Sequence, residues 1–200
     1  LAQIGTVATL VQGGPDGNGA LTKDPGENLL LVSGFRPEDG TVVDETPRPR
    51  QHAAMLWFLS DLNSLAANGW FGYVNPEPLV PKENIQKLTN GLGRTVMNAF
   101  PPSKVVEMGT TRDLGVMLSA IGWFGTQTND DQLRASAAEY ADALAATVES
   151  NLAGNGQLET GANQAAAQGA VAQGLVWASQ VEGVDHTGPA GELVDYMLEE

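Results

Sequence analysis

Cysteine is absent from the 200 residues, which excludes a disulfide, a thiolate zinc site and a cysteine nucleophile. Lysine is scarce, with only Lys23, Lys82, Lys87 and Lys104, and the 10 Lys plus Arg face 24 Asp plus Glu for a net charge of −14. Such a surface repels nucleic acid and anionic membrane, both of which are gripped through Lys and Arg, so neither is an expected partner. No apolar run reaches the roughly 18 residues of a membrane span. The only histidines are His52 and His186. Neither stands at metal-ligand spacing from a second donor, so no metal site and no cofactor is expected. There is no Gly-x-Ser-x-Gly elbow and no serine beside a histidine, which leaves triad chemistry without support. Gly91-Leu92-Gly93-Arg94 lies in a helical pattern and lacks the third glycine and the leading strand of a phosphate loop. No Asn-x-Ser/Thr acceptor for N-glycosylation occurs.

What is present is a 42% hydrophobic chain, enough for one domain with a real core or two small ones. Its acid-rich, lysine-poor, Ala- and Gly-rich makeup is that of a salt-adapted, halophilic protein, because a large net charge keeps a chain dispersed in salt. Leu1 opens the sequence, and Leu1 to Val11 lacks the length and basic flank of a signal peptide, so a piece of a longer protein is expected. The compartment is not fixed, with a slight preference for an extracytoplasmic one.

Residues 1–46 read as a small β element or cap. Ile4 to Val11 is β-rich, Gly13 to Gly19 is dense in turn residues, and Asn28 to Gly34 is a second apolar run. A turn at Arg36 to Gly40 then leads to Thr41-Val42-Val43, which is a hairpin signal. Asp16, Asn18, Asp24 and Glu27 copy positions of a calcium loop. Ala20 and Leu21 stand where an oxygen ligand and glycine are needed, so a hairpin or Ω-type loop is the better reading. Pro47 and Pro49 mark the boundary with residues 47–200.

From Gln51 the period becomes helical. Ala54, Trp57, Phe58, Asp61, Leu62 and Leu65 follow i, i+3, i+4, i+7 and are expected inward. Met55, Leu56 and Leu59 fill the neighbouring face, so that the helix is expected to be buried on most sides, and Asn68-Gly69 is the stop. After a Pro-rich connector, Tyr73 to Pro81, Lys82–Asn98 carries Ile85, Leu88, Leu92 and Val96 on one face, with Gly91 and Gly93 weakening it or permitting close packing. Pro101-Pro102 ends that helix. Thr110 to Asp113 is an N-cap signal for a helix striped by Leu114, Met117, Leu118, Ile121 and Phe124. Asn129-Asp130 caps a helix to about Ser150, with Leu133, Ala137, Tyr140, Ala141, Leu144 and Val148 inward. After a Gly/Asn loop, Gly161 to Val181 is rich in small residues, and a last helix runs from Ala190 to about Leu198. Inner helices starting near residues 51, 112 and 163, each followed by a partner, predict a helix-pair array. The expected fold is mainly α: three consecutive helical hairpins, as a half-toroid or open bundle, with the small N-terminal β element.

Thr111 to Val148, a small-residue helix, a polar turn at Asn129-Asp130-Asp131 and an Ala-rich partner, resembles the helical-hairpin (α/α) toroids. That group holds six-hairpin glycosidases and sugar epimerases. The likeness runs from Gln51 onward, where three hairpins fit, half of those in a six-hairpin ring. It implies a carbohydrate ligand, carboxylates or histidines at one rim, and aromatics stacking on sugar rings.

The residues offer candidates for those roles. Asp44 and Glu45 are adjacent carboxylates beside Arg48, Arg50 and His52. A pair whose environments separate its acidities is the glycosidase arrangement, and a solvated acidic turn is the plainer reading. His52, in the first helical turn, is the candidate general base, and otherwise a surface or capping histidine. Asp61 lies on a face expected to be buried, where a carboxylate must be paired or protonated, for instance by a loop backbone or Arg112. Trp57, Trp70 and Trp123 are the candidate sugar platforms, although aromatics at helical spacing more often pack in a core. The alternative function is a non-catalytic interaction or assembly domain whose small-residue helix, Ala162 to Gly174, packs on another subunit as protein partner or on the rest of its own, longer chain.

Overall fold

The computed structural model describes residues 29–36, 38, 39, 41–70, 81–150 and 164–199. The expectations on Ile4 to Val11, on the Asp16 to Glu27 loop, on most of the Tyr73 to Pro81 connector and on the Gly/Asn loop after Ser150 lie outside them. The described chain is mainly α. Two short strands, β1 (Gly34–Arg36) and β2 (Thr41–Asp44), pair antiparallel with Arg36 opposite Thr41. Seven helices follow: α1 (Pro49–Ala67), α2 (Lys82–Ala99), α3 (Pro102–Met108), α4 (Thr111–Gln127), α5 (Asp131–Glu149), α6 (Gln164–Ala178) and α7 (Thr187–Glu199).

The apolar run before β1 does not continue the ribbon. Leu29 N–H donates to Thr95 Oγ1 at 2.7 Å and Leu31 N–H donates to His52 Nε2 at 2.9 Å. The N–H groups of Leu29 and Leu31 therefore go to helix side chains, and only Ser33 N–H reaches β2, at Asp44 C=O (2.9 Å). Leu29 and Leu31 belong to the same core as the helices.

Each helix start has a local cause. Pro49 and Pro102 stand in the first turns of α1 and α3, where the missing N–H costs nothing and the fixed φ suits the helix. Proline thus ends α2 and starts α3, a short helix that the periodicity does not announce. Thr110 caps α4: its Oγ1 accepts from Asp113 N–H, and the Asp113 carboxylate accepts from Thr110 N–H at 2.9 Å, closing a capping box. Asp130 caps α5 by accepting Leu133 N–H at 3.1 Å. Gly69, at φ 75°, follows the Asn68 stop of α1 in the left-handed region that suits glycine.

Helix α4 is the centre of the molecule, with α1 on one side, α6 on the other and α5 laid against it; α2 packs on α1 and α7 on α6. Side chains give the directions. Arg50 at the start of α1 pairs with Asp113 at the start of α4, and Asn63 near the end of α1 donates to Gln127 C=O at the end of α4, so these two run parallel. Gly115 faces the backbone of Ala170, and Gly122 that of Trp177, so α4 and α6 run parallel as well. Between α1 and α2, Thr89 reaches Leu59 C=O while the His52 ring lies 4.7 Å from that of Phe100, which makes them antiparallel. Phe124, Met117, Leu118 and Ile121 of α4 are fully buried between Leu56 and Leu59 of α1, Leu144 of α5 and Leu175 of α6. Tyr140 donates its hydroxyl to Phe100 C=O in this core.

The inward face of α1 differs from the expected one. His52, Ala53, Leu56, Leu59, Ser60 and Asn63 are buried, whereas Ala54 and Asp61 are exposed, Leu65 is 40% exposed, and Trp57 and Phe58 are half-buried. Leu56 and Leu59 are buried as expected, while the burial of Ala54, Asp61 and Leu65 is not borne out. Asn63 and Ser60 hold hydrogen bonds there, to Gln127 C=O and Leu56 C=O, and the small Ala53 admits a close neighbour. The Gly/Ala face of α6 packs on α4 of the same chain: a Cβ on Gly174 would meet Gly115 and Leu118. Among the described residues no helix is long and apolar enough to cross a membrane.

Candidate functional site

Three parallel helices bring three indoles together. Trp57 of α1 lies 6.1 Å from Trp177 of α6, and Trp177 lies 5.0 Å from Trp123 of α4, both pairs edge-to-face at 67°. All three are half-buried. They sit on the side of the row that also carries exposed Asp61, Arg112 and Gln173, since residues three, four, seven and eleven apart share a helix face. Trp123 Nε1–H is buried and has no acceptor among the described residues. Trp70, the third expected platform, is 62% exposed beyond the end of α1 and is not in the cluster. Trp177 completes it instead.

Asp61 corrects its expectation. It is exposed, with no hydrogen bond or ion pair to a described residue, because it projects from α1 opposite Leu56 and Leu59. Arg112 is not its partner.

His52 is also displaced from its expected setting. It is fully buried, accepts Leu31 N–H at Nε2 and lies 2.7 Å from Arg48 C=O at Nδ1. Both ring nitrogens are therefore engaged by backbone, as the neutral Nδ1–H tautomer. Burial pushes its pKa below the ordinary 6.5, and only the Arg48 carbonyl acts against that shift. The ring has no free nitrogen for a proton transfer and faces away from Asp61, about 13 Å along the helix.

Of the adjacent carboxylates Asp44 and Glu45, Asp44 is held in the turn before α1. Asp44 accepts Thr46 N–H at 2.9 Å and pairs with Arg48 at 3.3 Å. The Thr46 bonds, then Arg48, hold its carboxyl below the usual range. That arrangement shapes the turn into α1. Glu45 is exposed next to it.

Two ionic clusters escape sequence reasoning. Asp113 is buried, and its Oδ1 lies 3.6 Å from Arg50 Nε. His186 is gripped by two carboxylates of α5, Glu149 at 2.5 Å from Nδ1 and Asp142 at 3.1 Å from Nε2, while its backbone N–H donates to Ser179 Oγ at 2.8 Å. Asp142 and Glu149 stand seven residues apart, hence two turns apart on one face, and that spacing is the signal that finds them. The clamp ties α5 to the turn entering α7. No group of three or more His, Cys, Asp or Glu able to hold a metal ion occurs among the described residues.

A separate feature is a trough of about 560 Å³ between α6 and α7, lined by Gly169, Ala172, Val176, Trp177, Ala190 and Val194 among others. Val176 and Val194 stand 47% and 41% exposed beside it. Among the described residues, the fold is mainly α with an apolar trough between α6 and α7. No protein-family model, no curated protein and no solved structure matches the chain.

Proposed function

We propose that this chain is a non-catalytic interaction or assembly domain, built as three consecutive helical hairpins in an open half-ring. The hairpins are α1 with α2, α4 with α5, and α6 with α7. Supporting that arrangement are the side-by-side parallel run of α1, α4 and α6 and the packing of each on its following partner. The observation that carries the function is the apolar trough between α6 and α7. It lies at the end of the row, where a further element would continue the packing. The catalytic candidates give no competing centre, since His52 faces the core, Asp44 shapes a turn and Asp61 stands apart in solvent.

A second reading has one observation in its favour. The Trp57–Trp177–Trp123 cluster offers indole edges on the face that also carries an exposed carboxylate, Asp61. Aromatic surface with a few polar groups is what a carbohydrate-processing toroid would use. Nuclear magnetic resonance titration separates the two. Amphipathic helical peptides are expected to shift Val176, Trp177 and Val194, and oligosaccharides to shift nothing. Oligosaccharide shifts centred on Trp57, Trp123 and Asp61 would replace the first reading with the second.

A further inference from the structure

The trough between α6 and α7 has a chemical character that narrows its occupant. Its floor and walls are Ala172, Val176, Trp177, Ala190 and Val194, and the one charged group lining it is Asp195. Glu192 and Glu199 are exposed on the same helix, α7, whose Leu198 is 78% exposed, and Glu182 and Asp185 are exposed in the turn between α6 and α7. No Lys or Arg stands on either helix or in that turn. All ten basic residues of the chain lie at or before Arg134, and the residues after it carry ten Asp plus Glu. An apolar trough between two packed helices accepts the ridge of a third helix. One carboxylate in the lining and acidic surroundings without a Lys or Arg select against acidic partners and for basic ones.

We propose that this trough docks an amphipathic helix from a partner protein whose apolar stripe is flanked by Lys or Arg. The proposal rests on the interaction reading above and adds the partner's chemistry to it. A second copy of this chain fits poorly. Its own α6–α7 edge brings acid against acid, and like charges juxtaposed across an interface disfavour it.

The test uses the full chain at the lowest salt at which it remains helical. The probes are synthetic helices of about 15 residues, long enough to hold helical structure, with one leucine stripe flanked by lysine, by glutamine or by glutamate. Binding is read by fluorescence anisotropy and by the indole resonance of Trp177. The lysine helix is expected to bind, to shift Trp177, and to bind about tenfold more tightly than the glutamine helix, with the glutamate helix weaker still. Val176→Ser, at an exposed position, is expected to weaken the lysine helix severalfold without unfolding the chain. Equal binding by all three helices overturns the charge inference and leaves the interaction reading standing. Lysine-helix binding that Val176→Ser does not change reports only the chain's overall charge, and overturns the docking site. No binding by any helix, with the chain self-associating through Val176 and Val194, makes a second copy the occupant. No binding and no self-association removes the interaction reading as well.

Discussion

A neutral imidazole holds the start of α1 to the segment that leads into the β ribbon. His52 accepts from Leu31 N–H and sits in the core beside Phe100. Protonation would place a second N–H against the Leu31 donor and bury a charge. The folded-state pKa is therefore depressed below 6.5, with desolvation as the leading cause. The sign follows: below 6.5 the unfolded chain binds the proton and the folded chain resists it, so stability rises with pH in this range. The His52 contribution is complete above 6.5, declines as pH falls toward the lower folded value, and levels off below it. Urea unfolding between neutral pH and about pH 5 should show a steeper loss of stability in the wild type than in His52→Gln. His52→Ala should cost about 1–3 kcal/mol from the orphaned Leu31 N–H alone. Identical pH slopes for wild type and His52→Gln would show that the ring is not the titrating link.

At the level of elements, the contact between α4 and α6 depends on missing side chains. A Cβ on Gly115 would collide with the backbone carbonyl of Ala170, and one on Gly122 with that of Trp177. Backbone cannot rotate aside, so either substitution must push the two helices apart. The overpacking cost of about 1–3 kcal/mol outweighs the roughly 1 kcal/mol that alanine gains over glycine in a helix. Gly169 has nothing within 4 Å of its Cβ position. Thermal unfolding should therefore show Gly115→Ala and Gly122→Ala destabilised, and Gly169→Ala stabilised by about 0.5–1 kcal/mol. A rise in melting temperature for Gly115→Ala would mean that the helices are not packed this closely.

The same elements show what the sequence could convey. Helices α2, α4 and α5 are legible because their stripes contrast with polar faces, and two also carry explicit caps, Thr110 with Asp113 for α4 and Asp130 for α5. The inward face of α1 is not legible. Apolar residues surround that helix, and burial there follows two polar side chains, Ser60 and Asn63, whose partners lie on the helix itself and on α4. Helix α3 follows a proline pair that reads only as a stop. For the site, the tryptophans are visible in the sequence, but their convergence is not. It depends on α1, α4 and α6 running parallel, and no local pattern encodes that.

Across the whole molecule the charge is unevenly placed. The net charge is −14, and the ten acids after Arg134 have no Lys or Arg among them. Ion pairs are concentrated earlier in the chain, where Arg36, Arg48, Arg50, Arg94 and Arg134 each have an acidic partner. After Arg134 the only contacts of a basic side chain with an acid among the described residues are those of His186 with Asp142 and Glu149. Self-repulsion should therefore weigh most on α7 and the turn before it, which carry Glu182, Asp185, Glu192, Asp195 and Glu199 with no Lys or Arg to offset them. Screening shortens the reach of that repulsion from about 30 Å at 0.01 M salt to about 3 Å at 1 M. Salt adaptation then predicts an ordered loss. As salt is lowered from the molar range, circular dichroism should report falling helicity, and amide exchange should quicken in α7 before α1, α2 and α4. Helicity unchanged down to about 0.1 M would show that packing along α4 overcomes the charge, and that the acidic composition is not an adaptation to salt. Loss beginning in α1 would place the weak point at the ribbon junction and His52, away from the uncompensated acids.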